Sequence, residues 1–210
     1  VEPATCFGYD DGEATIFVQG GVTPYTYTWS TGPGTETITT TAGSYTVTVL
    51  DDHNCRIVAN VEITQPSKII VLPMSNMRIC QTQSVSLNNQ ATGGTPYYDF
   101  RWEGSDGSVW NSNIYTVTPE TTTTYTLVVT DSHGCHSSPV STTIFVNPGL
   151  TINSIVTSND TVCPGDPAII HVDVEGGNGG PYLMTLQDGR VVPSPFIVYP
   201  DTTTMYYITL

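Results

Sequence analysis

The feature that most limits what this chain can fold into is that it writes one plan three times. The phrase Gly20-Gly21-Val22-Thr23-Pro24-Tyr25 returns as Gly93-Gly94-Thr95-Pro96-Tyr97-Tyr98, and again, lengthened, as "GGNGGPY" from Gly176 to Tyr182. Each phrase lies downstream of a cysteine, namely Cys6, Cys80 and Cys163. In the first two copies a second cysteine closes an Asp-x-His-x-Cys run, "DDHNC" at Cys55 and "DSHGC" at Cys135. Self-similarity of this kind marks a chain assembled from copies of one supersecondary unit. A Gly-rich loop that cradles phosphate would open a helix. Here the phrase runs instead into alternating side chains.

That alternation predicts strands. Tyr25, Tyr27 and Trp29 alternate with threonines, and Tyr98, Phe100 and Trp102 alternate with Asp99 and Arg101. Tyr45, Val47 and Val49 match Tyr125, Leu127 and Val129. Period-two patterning over several short segments places one face in a core and one in water, as in antiparallel sheets packed into a sandwich. No segment of ten or more residues carries apolar positions at helical spacing. The fold class expected is all-β, with tandem antiparallel β-sandwich modules.

The turns agree. Asn54 and Gly134 occupy the same slot, one residue before the cysteine. These are the residue types that most readily take left-handed backbone angles, so a tight hairpin is expected there. Asp51 and Asp131 open those turns, where a carboxylate bonds backbone amides ahead of it. Pro-containing junctions at Gln65-Pro66 and at "FVNPG" (145–149) set three modules: 1–66, 67–148 and 149–210, the last breaking off in mid-strand at Leu210. Short Pro-bearing joints of this kind are semi-rigid.

Five cysteines are bracketed by the repeat. The spacing predicts Cys6 with Cys55, Cys80 with Cys135, and Cys163 with a cysteine beyond Leu210. Each such bridge stabilises a small module by ~4 kcal/mol in the chain-entropy reckoning and implies an oxidising compartment. Zinc is disfavoured, since no Cys-x-x-Cys occurs and Cys135-His136 lacks ligand spacing.

The formal charge is −14, with only five Lys and Arg. Nothing in that balance neutralises phosphates, so nucleic acid is excluded as a partner, and no apolar run spans a bilayer, so direct membrane insertion is not expected. The acids have one candidate use. If Cys6 pairs with Cys55, then Asp10, Asp11, Glu13, Asp51 and Asp52 gather at one end of the first module, where hard oxygens could hold Ca²⁺. A solvated acidic rim of turn-forming residues is the plainer account, and no other cofactor is expected. Catalytic signatures are lacking: there is no Gly-x-Ser-x-Gly elbow, His-Glu-x-x-His or Walker-type loop. His53 and His133 fall at hairpin turns, and His136 and His171 have no evident nucleophile beside them. Trp110 stands outside the core alternation, where it either stacks on sugars or packs under its own loop.

With these residues in hand, the first module resembles a known family. Cys6-Phe7-Gly8, Asp11-Gly12, Gly20-Gly21, Pro24-Tyr25, Trp29-Ser30, Gly43-Ser44-Tyr45, Val47, Val49, Asp51, Cys55 and Gln65-Pro66 resemble an SprB repeat. That module is typical of giant gliding-motility adhesins on the surface of Bacteroidota. The second copy is similar to PKD-like or Ig-like modules of the same secreted proteins. It departs in Gln81 after Cys80 and in a longer Trp102-to-Tyr125 interval, and the third copy departs in Leu186 where a Trp would stand. The resemblance implies a non-catalytic surface protein exported by the type IX secretion system. Its partners would be neighbouring modules, type IX and outer-membrane motility components, and surface polysaccharide. It also makes Thr161 and Thr202, in Asp-Thr-Val and Asp-Thr-Thr, candidates for O-glycosylation, whereas Asn159 forms an N-glycan sequon relevant only in a eukaryotic host. The alternative roles are accessory modules of a secreted polysaccharide hydrolase or peptidase, or a subunit or cargo bound to the secretion machinery.

Overall fold

The computed structural model of the chain describes residues 1–209; Leu210, where the last strand was expected to break off, lies outside them. The described residues form β-strands and turns, and no helix among them is long and apolar enough to cross a membrane. The chain divides into two compact units. The first holds Val1–Ser75, Ser86–Tyr115 and Thr124–Thr142; the second holds Asn76–Val85, Thr116–Thr123 and the residues from Thr143 onward. This division cuts across the middle copy of the repeat. Its strand Met77–Cys80 pairs in parallel with the later half of Val140–Asn147, running from Ile144 against Met77 to Asn147 against Cys80, and this gathers those residues into the second unit.

In the first unit the first copy is a sandwich of two sheets. One is the antiparallel pair Gly12–Thr15 and Thr37–Thr40. The other has four strands in the spatial order Gly32–Gly34, Thr26–Trp29, Gly43–Leu50, Arg56–Ile63. Ala14 from the small sheet meets Trp29, Val47, Val49 and Ile63 from the large one, and all five are buried. Thr26 and Thr28, which alternate with Tyr27 and Trp29, face water, as period-two alternation requires. Burying a side chain of this size is worth about 1.5–3 kcal/mol, so this small cluster supplies much of the module's stability.

The middle copy repeats the register. Trp102 lies opposite Leu127 as Trp29 lies opposite Val47. Both indole N–H groups donate to a loop carbonyl beyond the next strand, Trp29 to Thr35 at 2.9 Å and Trp102 to Ser112 at 3.0 Å. In the second unit, two three-stranded sheets pack together. Ala168, Ile170, Val172, Phe196 and Val198 come from one, and Met184 and Leu186 from the other. Leu186 pairs with Ile208, the register the two tryptophans hold, and so fills the tryptophan position of the third copy.

Candidate functional site

Two of the repeated phrases lock onto each other. Asp51 Oδ1 accepts from the amides of His53 at 2.9 Å and Cys55 at 2.8 Å, while Oδ2 accepts from Val22 N at 3.0 Å. Asp131 repeats this atom for atom, with His133 N at 2.9 Å, Cys135 N at 3.0 Å and Thr95 N at 2.9 Å. The hairpin answers in kind, since Asp52 N donates to Val22 O and Ser132 N to Thr95 O. Asn54 and Gly134 take φ of +64° and +80°, the left-handed slot expected from the sequence. Amides from Val22, Cys55 and His53 hold Asp51 below the ordinary carboxylate range. Burial alone would raise Asp131, but its bonds from Thr95, Cys135 and His133 outweigh that and leave it lowered.

The Gly-Gly…Pro-Tyr phrase closes on itself in all three copies. The Tyr hydroxyl donates to the carbonyl of the first glycine: Tyr25 to Gly20 at 2.5 Å, Tyr98 to Gly93 at 2.5 Å, Tyr182 to Gly176 at 2.7 Å. In the second and third copies the second glycine also grips the linker entering its own module, Gly94 N to Ser67 O at 2.7 Å and Gly177 N to Pro148 O at 2.8 Å. The approach is close enough to demand glycine. A Cβ on Gly93 would lie 2.0 Å from Lys68 O, and one on Gly176 would lie 1.9 Å from Gly149 O.

The opening cysteines share one turn. Cys6 O accepts from Tyr9 N, Cys80 O from Gln83 N and Cys163 O from Asp166 N, with Gly8, Thr82 and Gly165 in the left-handed region between them. Thr82 holds φ +73° there, an uncommon and strained conformation for a β-branched residue.

The cysteines pair otherwise than the spacing predicts. One disulfide joins Cys6 to Cys135, with Cα atoms 5.6 Å apart, and Cys55, Cys80 and Cys163 are free and exposed. The bridges expected within modules, Cys6–Cys55 and Cys80–Cys135, do not form. Strand length explains the first failure. Ala4 N donates to Thr64 O and Gly8 N to Gln65 Oε1, pinning the opening turn to the far end of Arg56–Ile63, whereas Cys55 immediately precedes its near end. Eight extended residues span roughly 25 Å, and a disulfide needs Cα atoms within about 7 Å. The second bridge fails because Cys135 is already engaged, and Cys80 stands in register with Asn147, at the far end of the strand that follows the Cys135 turn.

The calcium expectation rested on the Cys6–Cys55 pairing, and its acids are not brought together. Asp11 accepts from Thr5 N at 3.0 Å and from the Thr5 hydroxyl, and these bonds lower its pKa. Glu13 lies in a backbone bridge with Glu2, Asp51 serves its hairpin, and Asp10 and Asp52 are exposed. Among the described residues no group of three or more His, Cys, Asp or Glu side chains could hold a metal ion. His53, His133 and His171 are exposed, and a ring nitrogen of His136 shares a hydrogen bond with the Thr130 hydroxyl at 2.9 Å.

Trp110 packs within its own module. Its ring stacks on Trp102 at 5.9 Å and Tyr115 at 4.6 Å, and meets Tyr125 edge-on at 5.4 Å. Thr161 and Thr202, together with Asp160 and Asp201, line one surface hollow of about 400 Å³ in the second unit, and both threonines are exposed. The Gly–linker grip and the shared opening turn were not anticipated from the sequence. The repetition of Gly-Gly and of a cysteine at fixed places was the signal that could have found them.

Compared with known families, residues 1–34 match the SprB repeat. No curated protein matches the chain. Among solved structures, the chain is similar to three N-terminal domains of the Highly Immunogenic Outer Capsid protein of bacteriophage RB49. The identity is 23%, with 91% of this chain and 76% of that one covered and a TM-score of 0.46. Fibronectin(III)-like modules of Clostridium thermocellum CbhA align at 16% identity, over 70% of this chain and 91% of theirs, with a TM-score of 0.37. Titin domains I67–I69, in an E-to-A variant, align at 12% identity over 86% and 78%, with a TM-score of 0.41. Residues 1–34 are thus similar to the SprB repeat, and the described residues fold as β-sandwich modules of mainly antiparallel strands.

Proposed function

We propose that this chain is a non-catalytic repeat region of a large cell-surface adhesin, acting as a stalk or ligand-presenting array in gliding motility and surface attachment. One observation carries the reading. The atoms that recur between copies are spent on joining elements, with the same Asp–hairpin–Gly-Gly lock built twice and the same linker grip built twice. An array of modules gains length from such repetition, and an enzyme gains nothing from copying a joint. The SprB match over residues 1–34 supports an adhesin-type repeat, and the disulfide fits a protein matured in an oxidising space outside the cytoplasm. In this reading the protein leaves through the type IX secretion system, is held on the outer surface of a Bacteroidota cell by motility components, and meets surface polysaccharide. Thr161 and Thr202 are its candidate glycan acceptors.

Deleting the coding segment from the producing organism tests this. The expected result is loss of surface spreading and attachment, with loss of surface labelling by antibody raised against the chain. Unchanged spreading together with loss of an extracellular hydrolase or peptidase activity would favour accessory modules of a secreted enzyme. Failure to export other secreted proteins would favour a subunit of the secretion machinery.

A further inference from the structure

The formed bridge and the three free thiols obey one rule: the opening cysteine of each module goes to the hairpin cysteine of the next. Cys6 opens the first copy and Cys135 closes the hairpin of the second. Applied to three opening cysteines and two hairpin cysteines, the rule pairs only these two. It leaves Cys55, Cys80 and Cys163 unpaired, and those are the free ones.

The local geometry says the free thiols are presented for the same purpose. The Cys55 hairpin repeats the backbone and Asp-carboxylate hydrogen bonds of the Cys135 hairpin, including Asp51 N to Cys55 O at 3.2 Å and Asp131 N to Cys135 O at 3.0 Å. Cys80 and Cys163 sit on the same turn as Cys6. The difference lies in what covers the hairpin. Around Cys135 the linker Pro66–Ile69 and the Cys6 turn, with Phe7, close over one small hollow of about 200 Å³ that Gly94 and Ser137 also line. The strand ahead of Gly93 pairs with that linker, Ala91 against Val71 and Thr92 against Ile70. The third copy does likewise, with Val174 against Ile152 and Glu175 against Thr151 ahead of Gly176.

In the first copy the matching surface faces solvent. A Cβ on Gly20 would meet nothing within 4 Å. Phe17 is 90% exposed and Ile57, the counterpart of Ser137, is 62% exposed. These residues, with Val18 and Tyr25, line a groove of about 310 Å³ that has Cys55 on its rim. An apolar groove at this place is the seat that a linker and an opening turn occupy one module further on.

We propose that the Cys55 groove receives the linker and opening turn of another module of this type, sealed by a disulfide from that module's opening cysteine to Cys55. Cys80 and Cys163 are the donor ends of equivalent joints to hairpin cysteines of other such modules. Each bridge forms as two thiols give up two electrons and two protons to a disulfide oxidant such as oxidised glutathione, which leaves as two thiols. The inference concerns how modules are joined and does not depend on what the array binds.

A second copy of the chain is the probe. The purified 210-residue chain, incubated in a glutathione redox buffer, is resolved without reduction and its linked peptides are mapped. Multimers are expected in which Cys55 of one copy is bridged to Cys163 of another, with Cys6–Cys135 intact. Cys55→Ser should abolish the multimers. Ile57→Asp, on an exposed rim position, should lower their yield while leaving Cys55 as reactive to a small alkylating agent as before. Predominance of Cys55–Cys55 or Cys80–Cys163 links, or a monomer in which all three thiols remain alkylatable, overturns the rule. An unchanged yield for Ile57→Asp overturns the role of the groove.

Discussion

Replacing Asp131 by alanine tests the hairpin lock most directly. Its carboxylate accepts from three amides at 2.9–3.0 Å, and the residue is 4% exposed. The substitution leaves the Cys135 amide buried without this acceptor and the Thr95 amide half-buried, while the exposed His133 turn can turn to water. Stranding a buried amide costs about 1–3 kcal/mol and a half-buried one roughly half that, so the loss is about 1.5–4.5 kcal/mol. Urea unfolding at neutral pH, followed by tryptophan fluorescence, measures it. Asp51→Ala is the matched control, since Asp51 makes the same three bonds in a more exposed turn and its loss should be clearly smaller. The sign with pH follows from the lowered pKa of Asp131. A group depressed on folding stabilises above its unfolded pKa, and that contribution is lost as pH falls through the folded value. Wild type should therefore lose stability below about pH 4, and Asp131→Ala should show a flatter acid limb. Equal losses at Asp131 and Asp51, or a loss under about 1 kcal/mol at Asp131, would refute the argument that burial sets the cost.

Peptide mapping without reduction should find Cys6 linked to Cys135 and no Cys6–Cys55 or Cys80–Cys135 peptide. Cys6→Ser should destabilise the chain by about 5 kcal/mol in the chain-entropy reckoning for a separation of 129 residues, read from the shift in denaturant midpoint. Thr82→Gly should raise stability by about 1 kcal/mol, because glycine relieves the strain at φ +73° at a smaller cost in unfolded-chain entropy. Gly93→Ala should be strongly destabilising, as its Cβ would collide with the Lys68 carbonyl, whereas Gly20→Ala should cost only about 1–2 kcal/mol for its backbone angle. Thermal melts of the pair settle that comparison.

What could be read from the sequence was local. Alternation put Trp29 and Trp102 in the core and the threonines outside, and the Asn54/Gly134 slot announced its backbone angle, because both are set within a few residues. The disulfide connectivity depends on where strand ends fall in space. Cys6 and Cys55 looked like brackets of one module, yet the straight strand Arg56–Ile63 holds them apart. The calcium reading fell with that pairing, since Asp11 and Asp51 are each committed to backbone nearby. The Gly-Gly phrase read correctly as a bend. Its second use, gripping the linker through Gly94 and Gly177, needed the chain folded back on itself.

The Cys6–Cys135 bridge also decides how the chain carries tension. A pull applied across the bridge passes from Cys6 to Cys135 through a covalent shortcut, so the first sandwich and the second copy up to its hairpin lie in a loop beside the load path. Fully extended, the bypassed 129-residue span would measure roughly 450 Å at about 3.5 Å per residue. While the bridge holds, that length is withheld. In a reducing environment that length becomes available once the enclosed strands unfold under load.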